Sequence, residues 1–195
     1  MEPNTSLIEG FAPLPYLMNG WNGESPAFET VINEVRPKTI IEVGTWMGMS
    51  ACHMADLAPE AHIYCVDTWL GSTEFWTTMA DTPDRNLMMR HGYPQCYYQF
   101  LSNTIHRGCA ERITPIPVPS EIGAEVLAHR GVVADLIYID AGHSCAEVLR
   151  DIACYRPLLR PGGVMFGDDV LFWPGVAEAA RQVGAAVEGD KWILR

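Results

Sequence analysis

The chain is predicted to fold as an α/β domain, a doubly wound and mostly parallel sheet ending in an antiparallel C-terminal strand, and three observations point there. Short β-branched or aliphatic runs alternate with segments of helical spacing, the pattern left by helices crossing between parallel strands. Four of those runs end at or beside acidic residues, namely Glu42, Asp67, Asp140 and the pair Asp168 and Asp169. The chain has 195 residues, of which 48% are hydrophobic and 19% charged, enough for one such sheet with a buried core and not for a second domain.

Residues 1–24, rich in Pro, Gly, Asn and aromatic side chains, read as an irregular arm, and 25–195 as a single domain. Ser25 and Pro26 open a helix whose Phe28, Val31, Ile32 and Val35 share one face and which Pro37 stops. TIIEV (39–43) is a strand ended by Gly44, and MSACHMADLA (49–58) the helix after it. HIYCV (62–66) is the next strand, ending on Asp67. A polar, aromatic and Pro-containing stretch leads to a helix marked by Tyr97, Phe100, Leu101, Thr104 and Ile105 and closed by Gly108. RITPIPV (112–118) is a strand whose two prolines place it near the edge of the sheet. Ser120 is expected to cap a helix reaching about Arg130. DLIYI (135–139) is a buried strand ended by Asp140, followed by a helix from Ser144 to Tyr155. RPGG (160–163) is expected to turn into the strand VMFG (164–167). A helix over 173–183 and a closing hairpin of AAVEG and KWILR complete the series.

Thirteen Lys and Arg stand against 24 Asp and Glu, a formal net charge of −11, which repels polyanions and argues against nucleic-acid binding. The first 20 residues resemble neither a secretory nor a mitochondrial leader, and no run approaches the roughly 18 apolar residues of a membrane span, so a cytoplasmic protein is expected. The six cysteines show no CxxC spacing and read as small buried thiols.

Ligands of open α/β sheets bind along the carboxyl ends of the strands. The first turn reads EVGTWMGMS, from Glu42 to Ser50, and Trp46 and Met49 stand where a dinucleotide fingerprint needs glycines, which argues against NAD and FAD. A ligand without phosphates suits the turn better, and S-adenosylmethionine, with its sulfonium and ribose diol, is one. Asp67 ends the second strand, where a carboxylate can accept both ribose hydroxyls. Taken with DLIYIDAGH (135–143) and PGGVMFGDD (161–169), these residues resemble the class I S-adenosylmethionine-dependent methyltransferases, with their Rossmann-like sheet. The nearest branch is the small O-methyltransferases, among them metal-dependent catechol-type enzymes and those that methylate natural-product sugars.

The resemblance implies that Glu42, Gly44, Thr45, Gly48 and Ser50 shape the methionine side of the site and that Asp67 holds the ribose. It places Thr68 and Trp69 along the adenosine, Ser120 near the adenine, and Asp140 beside the cofactor. Its Asp-then-Asp-Asp pattern implies a metal on Asp140, Asp168 and Asp169. Three oxygen ligands suit Mg²⁺, or Ca²⁺ or Mn²⁺, rather than zinc, provided the chain bends so that adjacent aspartates face one ion; Gly167 is the expected place. A bound cation would acidify the acceptor hydroxyl. His143 stands where catechol-type relatives carry a basic lysine and is the candidate base, with Asp140 as the second; the structural alternative is that His143 caps the helix behind it.

Trp69, Trp76, Phe172 and Trp173 are expected to wall the acceptor pocket. The arm suits either a lid or a contact with a second copy of the chain. The sequence thus predicts an O-methyltransferase of a small hydroxylated acceptor, a sugar, polyol or phenol. The alternatives are a metal-independent methyltransferase, a non-catalytic S-adenosylmethionine-binding partner protein, and a nicotinamide oxidoreductase.

Overall fold

The computed structural model describes residues 8–20, 23–77 and 87–195. Part of the predicted arm (1–7 and 21–22) and part of the polar stretch after Asp67 (78–86) lie outside the described residues. The strands are β1 (Thr39–Val43), β2 (His62–Asp67), β3 (Ile113–Pro117), β4 (Ala134–Ile139), β5 (Leu159–Gly167), β6 (Ala186–Glu188) and β7 (Lys191–Leu194). They form one seven-stranded sheet in the order β3-β2-β1-β4-β5-β7-β6. The first five are parallel, and β7 runs antiparallel to both β5 and β6. The strand order reverses between β1 and β4, and it is there that an open sheet leaves a crevice above its carboxyl ends.

The helices are α1 (Pro26–Val35), α2 (Met49–Leu57), α3 (Thr73–Trp76), α4 (Cys96–His106), α5 (Ser120–His129), α6 (Cys145–Tyr155) and α7 (Pro174–Val183). One face of the sheet packs Ile40, Ile63, Leu136 and Phe166 against α1, α2 and α4. The other packs Ile41, Val66, Ile137 and Met165 against α5, α6 and α7. This alternation of side-chain direction along buried parallel strands explains their nearly continuous apolar sequences.

Three local expectations change. The strand expected from Val164 begins at Leu159, because a register shift between Ala134 and Leu136 lets RPGG join β5 instead of turning. A Cβ at Gly163 would stand 2.8 Å from the Asp135 carbonyl, so only glycine follows that irregularity closely. Second, Ser120 does not cap α5. Pro119 takes the cap position, while the Ser120 hydroxyl donates to Asp151 of α6. Third, α3 occupies part of the stretch read as irregular.

The edge position of β3 agrees with its prolines, since only β2 hydrogen-bonds to it. All six cysteines are free thiols, four of them buried. Among the described residues no helix is long and apolar enough to cross a membrane.

The described part of the arm is tied to its own chain. Asn103 on α4 accepts from the Leu17 N–H at 3.1 Å and donates to the Leu17 carbonyl at 2.9 Å. Ser102 accepts from the Leu14 N–H at 2.9 Å, and Gln99 donates to the Pro15 carbonyl at 3.0 Å. These bonds account for three buried polar side chains on one helix, each of which needs a partner once out of water.

Candidate active site

A cleft of about 870 Å³ runs along the carboxyl ends of β1, β2, β4 and β5. Its floor is the β1–α2 turn (Gly44, Thr45, Trp46), Asp67 and Thr68; one wall is Val118, Pro119 and Ser120, the opposite wall Asp140–His143, and Asp168 and Asp169 lie beyond. Asn19, Gly20 and Gly23 of the arm border the same space. Of the predicted cofactor residues, Gly44, Thr45, Ser50, Asp67, Thr68, Ser120 and Asp140 line the cleft, whereas Glu42, Gly48 and Trp69 do not.

Gly44 is what brings the two strand ends together. It has φ +85°, and a Cβ there would lie 2.1 Å from the Asp140 carbonyl oxygen. Gly48, at φ +86°, packs against the Phe100 ring rather than facing the cleft. Glu42 is fully buried beneath the turn and acts through Ser50, whose hydroxyl donates to it. Burial pushes the Glu42 carboxyl up to about 7, against the opposing bonds from Ser50, Thr45 and Cys65.

A raised folded-state value means that stability is fully present below the unfolded value of 4.5 and falls as pH rises through about 7. Glu42→Gln keeps a partner for Ser50 and is expected to remove about 3 kcal/mol of that decline, at 1.36 kcal/mol per unit. Urea melts of both proteins at pH 4.5 and pH 8 check this; equal pH slopes would show that Glu42 is ionised in the fold.

Asp67 lines the cleft and also serves the backbone around it. Its Oδ2 accepts from the N–H groups of Thr45 (2.9 Å) and Trp46 (2.8 Å), and its Oδ1 from the Trp69 N–H (2.7 Å). Backbone N–H groups thus occupy much of this carboxylate's acceptor capacity. Asp67 therefore organises the β1 and β2 turns first. Its pKa is raised by burial, which those N–H groups oppose. Trp69 is a core residue, 2% exposed, its indole N–H donating to the Trp46 carbonyl.

The predicted metal set is not assembled. Asp169 itself has φ +68°, so the bend lies there and not at Gly167, whose missing side chain makes room for Trp192. The bend separates the two aspartates. Asp168 turns to β7, where its Oδ1 lies 2.8 Å from Nζ of Lys191; it also accepts from the Asp169 N–H at 2.6 Å and the Tyr138 hydroxyl at 3.1 Å. Asp169 turns to His143, with Oδ2 3.0 Å from Nε2. The donor atoms that converge are those of Asp140, His143 and Asp169, within 4.8 Å of one another. A set of three aspartates for Mg²⁺ does not fit this geometry.

His143 is not a helix cap. Ser144 caps α6 in a reciprocal pair with Glu147, which frees the imidazole. The ring stacks on Trp173 at 4.5 Å, and Gly175 of α7 admits the His143 carbonyl where a Cβ would come within 2.5 Å. Nδ1 is buried with no hydrogen-bond partner among the described residues. Burial pulls the His143 pKa down, but the Asp169 bond and the charges of Asp169, Asp140 and Glu74 outweigh it, so the value is raised. Burial, with the charges of Asp168 and Asp169, holds the Asp140 carboxyl well above its usual range.

Phe172 and Trp173 line the cleft as expected, and Trp76 does not. A second aromatic wall is formed by Trp46, stacked on Phe75 at 5.0 Å. Lys191 is the residue that sequence reasoning missed, since KWILR reads simply as one strand of the closing hairpin.

Residues 41–170 match the family described as methyltransferase domain. No curated protein matches the chain significantly. Among solved structures, the O-methyltransferase from Bacillus cereus in complex with S-adenosylhomocysteine is similar at TM-score 0.60 and 15% identity, over 96% of this chain and 86% of that one. The O-methyltransferase TomG from Streptomyces achromogenes, involved in tomaymycin synthesis and solved with S-adenosylmethionine, is similar at 0.61 and 14%, over 92% and 81%. A calicheamicin methyltransferase is similar at 0.62 and 18%, over 87% and 77%. At these identities the likeness is one of fold.

Proposed function

Because the chain belongs to the methyltransferase domain family, we propose that it moves a methyl group from S-adenosylmethionine to a hydroxyl of a small, uncharged acceptor, with His143 and Asp169 taking the proton. The observation that carries this reading is the hydrogen-bonded His143–Asp169 pair on the wall of the cleft formed by the family's strand ends.

The cleft suits the cofactor by its chemistry. Carboxylates favour a sulfonium cation, and Val66, Val118 and Pro119 offer an apolar seat for a purine. When bound, S-adenosylmethionine supplies a methyl group on a positively charged sulfur, open to in-line attack. The chain's own task is to bring an oxygen to that methyl and remove its proton. Asp169 accepts from Nε2 of His143 and fixes the tautomer, leaving Nδ1 as the ring atom with an unused lone pair. Trp173 holds the ring plane from behind.

Acceptor class follows from the lining. Among its described residues there is no Lys or Arg, while Asp67, Glu74, Asp140, Glu147, Asp168 and Asp169 are acidic. Phosphorylated and CoA-linked acceptors are therefore repelled, and neutral polyols and phenols, which pack on the two aromatic walls, are favoured. The test is calorimetric titration with S-adenosylmethionine, followed by transfer from the methyl-labelled cofactor into a panel of neutral phenols and sugars and their phosphate esters. One-to-one binding and labelling of neutral acceptors at least tenfold faster than their esters are expected. Absence of cofactor binding overturns the activity, and preference for the esters overturns the acceptor class.

A further inference from the structure

We infer that Lys191 is a built-in cation that occupies Asp168 in place of the divalent ion implied by the Asp140, Asp168 and Asp169 pattern, so that the site works without a metal. The inference rests on the methyl-transfer reading and says how that site balances its charge.

Lys191 is fully buried on β7, with Nζ 2.8 Å from Asp168 and 2.7 Å from Asp190 and 5.7 Å from the centre of the Phe28 ring. A lysine removed from water in this way is tolerated only where carboxylates meet it closely. Both partners are fixed in turn, Asp190 by the Ser25 hydroxyl at 3.0 Å and Asp168 by the Tyr138 hydroxyl at 3.1 Å. The same Tyr138 oxygen lies 3.3 Å from Asp140, so the lysine is connected through Asp168 and Tyr138 to the carboxylate on the cleft wall.

An ion at the predicted place would need Asp168, whose Oδ1 already faces Lys191 and the Asp169 N–H and whose Oδ2 meets Tyr138. It would also need Asp169, which faces His143. The chain thus supplies its own partner for each aspartate of the pair, one from β7 and one from the loop after β4. Lys191 does not line the cleft and is a positioning residue.

The test has two parts. Electron paramagnetic resonance of Mn²⁺ mixed with the wild-type protein, with and without S-adenosylhomocysteine, is expected to show free ion only. Transfer rates in EDTA and in Mg²⁺ are expected to agree within twofold. Stoichiometric Mn²⁺ binding by the wild type, or a rate that EDTA abolishes and Mg²⁺ restores, overturns the inference. Lys191→Met releases Asp168 and is expected to gain Mn²⁺ binding and a rate stimulated by the ion at least fivefold. Lys191→Met with Asp168→Asn is expected to gain neither, and a folded Lys191→Met that binds no Mn²⁺ counts against the inference. The resonance measurement does not depend on turnover. A protein that excludes Mn²⁺ yet labels no acceptor would sink the methyl-transfer reading and leave the lysine's role standing.

Discussion

His143→Asn is expected to lower kcat by roughly 10²–10⁴, the range that a positioned general base supplies, while leaving S-adenosylmethionine affinity within a few-fold of the wild type. The size of the effect follows from geometry. The imidazole is held by Asp169 at 3.0 Å and by the Trp173 ring at 4.5 Å, so its plane and tautomer are fixed before it takes the proton. The pH profile carries the same information with a definite sign. Only the neutral ring accepts a proton, and burial, which lowers the His143 pKa, is outweighed by the Asp169 bond and three nearby carboxylates. The rate is therefore expected to rise with pH through an inflection above 6.5 and then level off. Asp169→Asn removes the main raising influence and is expected to move the inflection down. A His143→Asn rate within threefold of the wild type would pass the role of base to Asp140.

Gly44→Ala is expected to cost about 4 kcal/mol or more and to abolish cofactor binding. Two penalties combine. A φ of +85° disfavours any side chain by about 1 kcal/mol, and the new Cβ would stand 2.1 Å from the Asp140 carbonyl oxygen and 2.5 Å from its carbon. Those atoms belong to the end of β4, the neighbour of β1 in the sheet, so relief requires the two strand ends to part. The control is Gly92→Ala, with φ +77° and nothing within 4 Å, where only the backbone penalty of about 1 kcal/mol is expected. Urea melts of the two variants separate the contributions, and similar losses would show that the Gly44 contact yields easily.

The strands were legible because an apolar run that stops at an acid or a glycine has few other readings. Thr39–Val43 and the acid-ended runs into Asp67 and Asp140 follow it. Where the acids point was less legible. Period-two alternation says that Asp168 and Asp169 diverge on a straight strand, but the side each one takes is set by a left-handed Asp169, a conformation that no sequence signal announced. Lys191 was hidden because its burial depends on Asp168 and Asp190, the first of them 23 positions away, and not on its own strand. Asp67 lines the cleft, but its bonds to the backbone were not legible, since the number of N–H groups it serves depends on how tightly the Thr45–Trp46 turn curls. The arm's attachment lay in Gln99, Ser102 and Asn103, a polar stripe set among the apolar positions used to find the helix.

A crystal structure of the protein with S-adenosylhomocysteine tests the functional site most directly. The purine is expected against Val118 and Pro119, the ribose at Asp67, and the sulfur on the side of the cleft shared by Asp140 and His143. Density for the ligand outside the cleft, or with its sulfur turned away from His143, would contradict the assignment of these strand ends as the place where a methyl group is transferred.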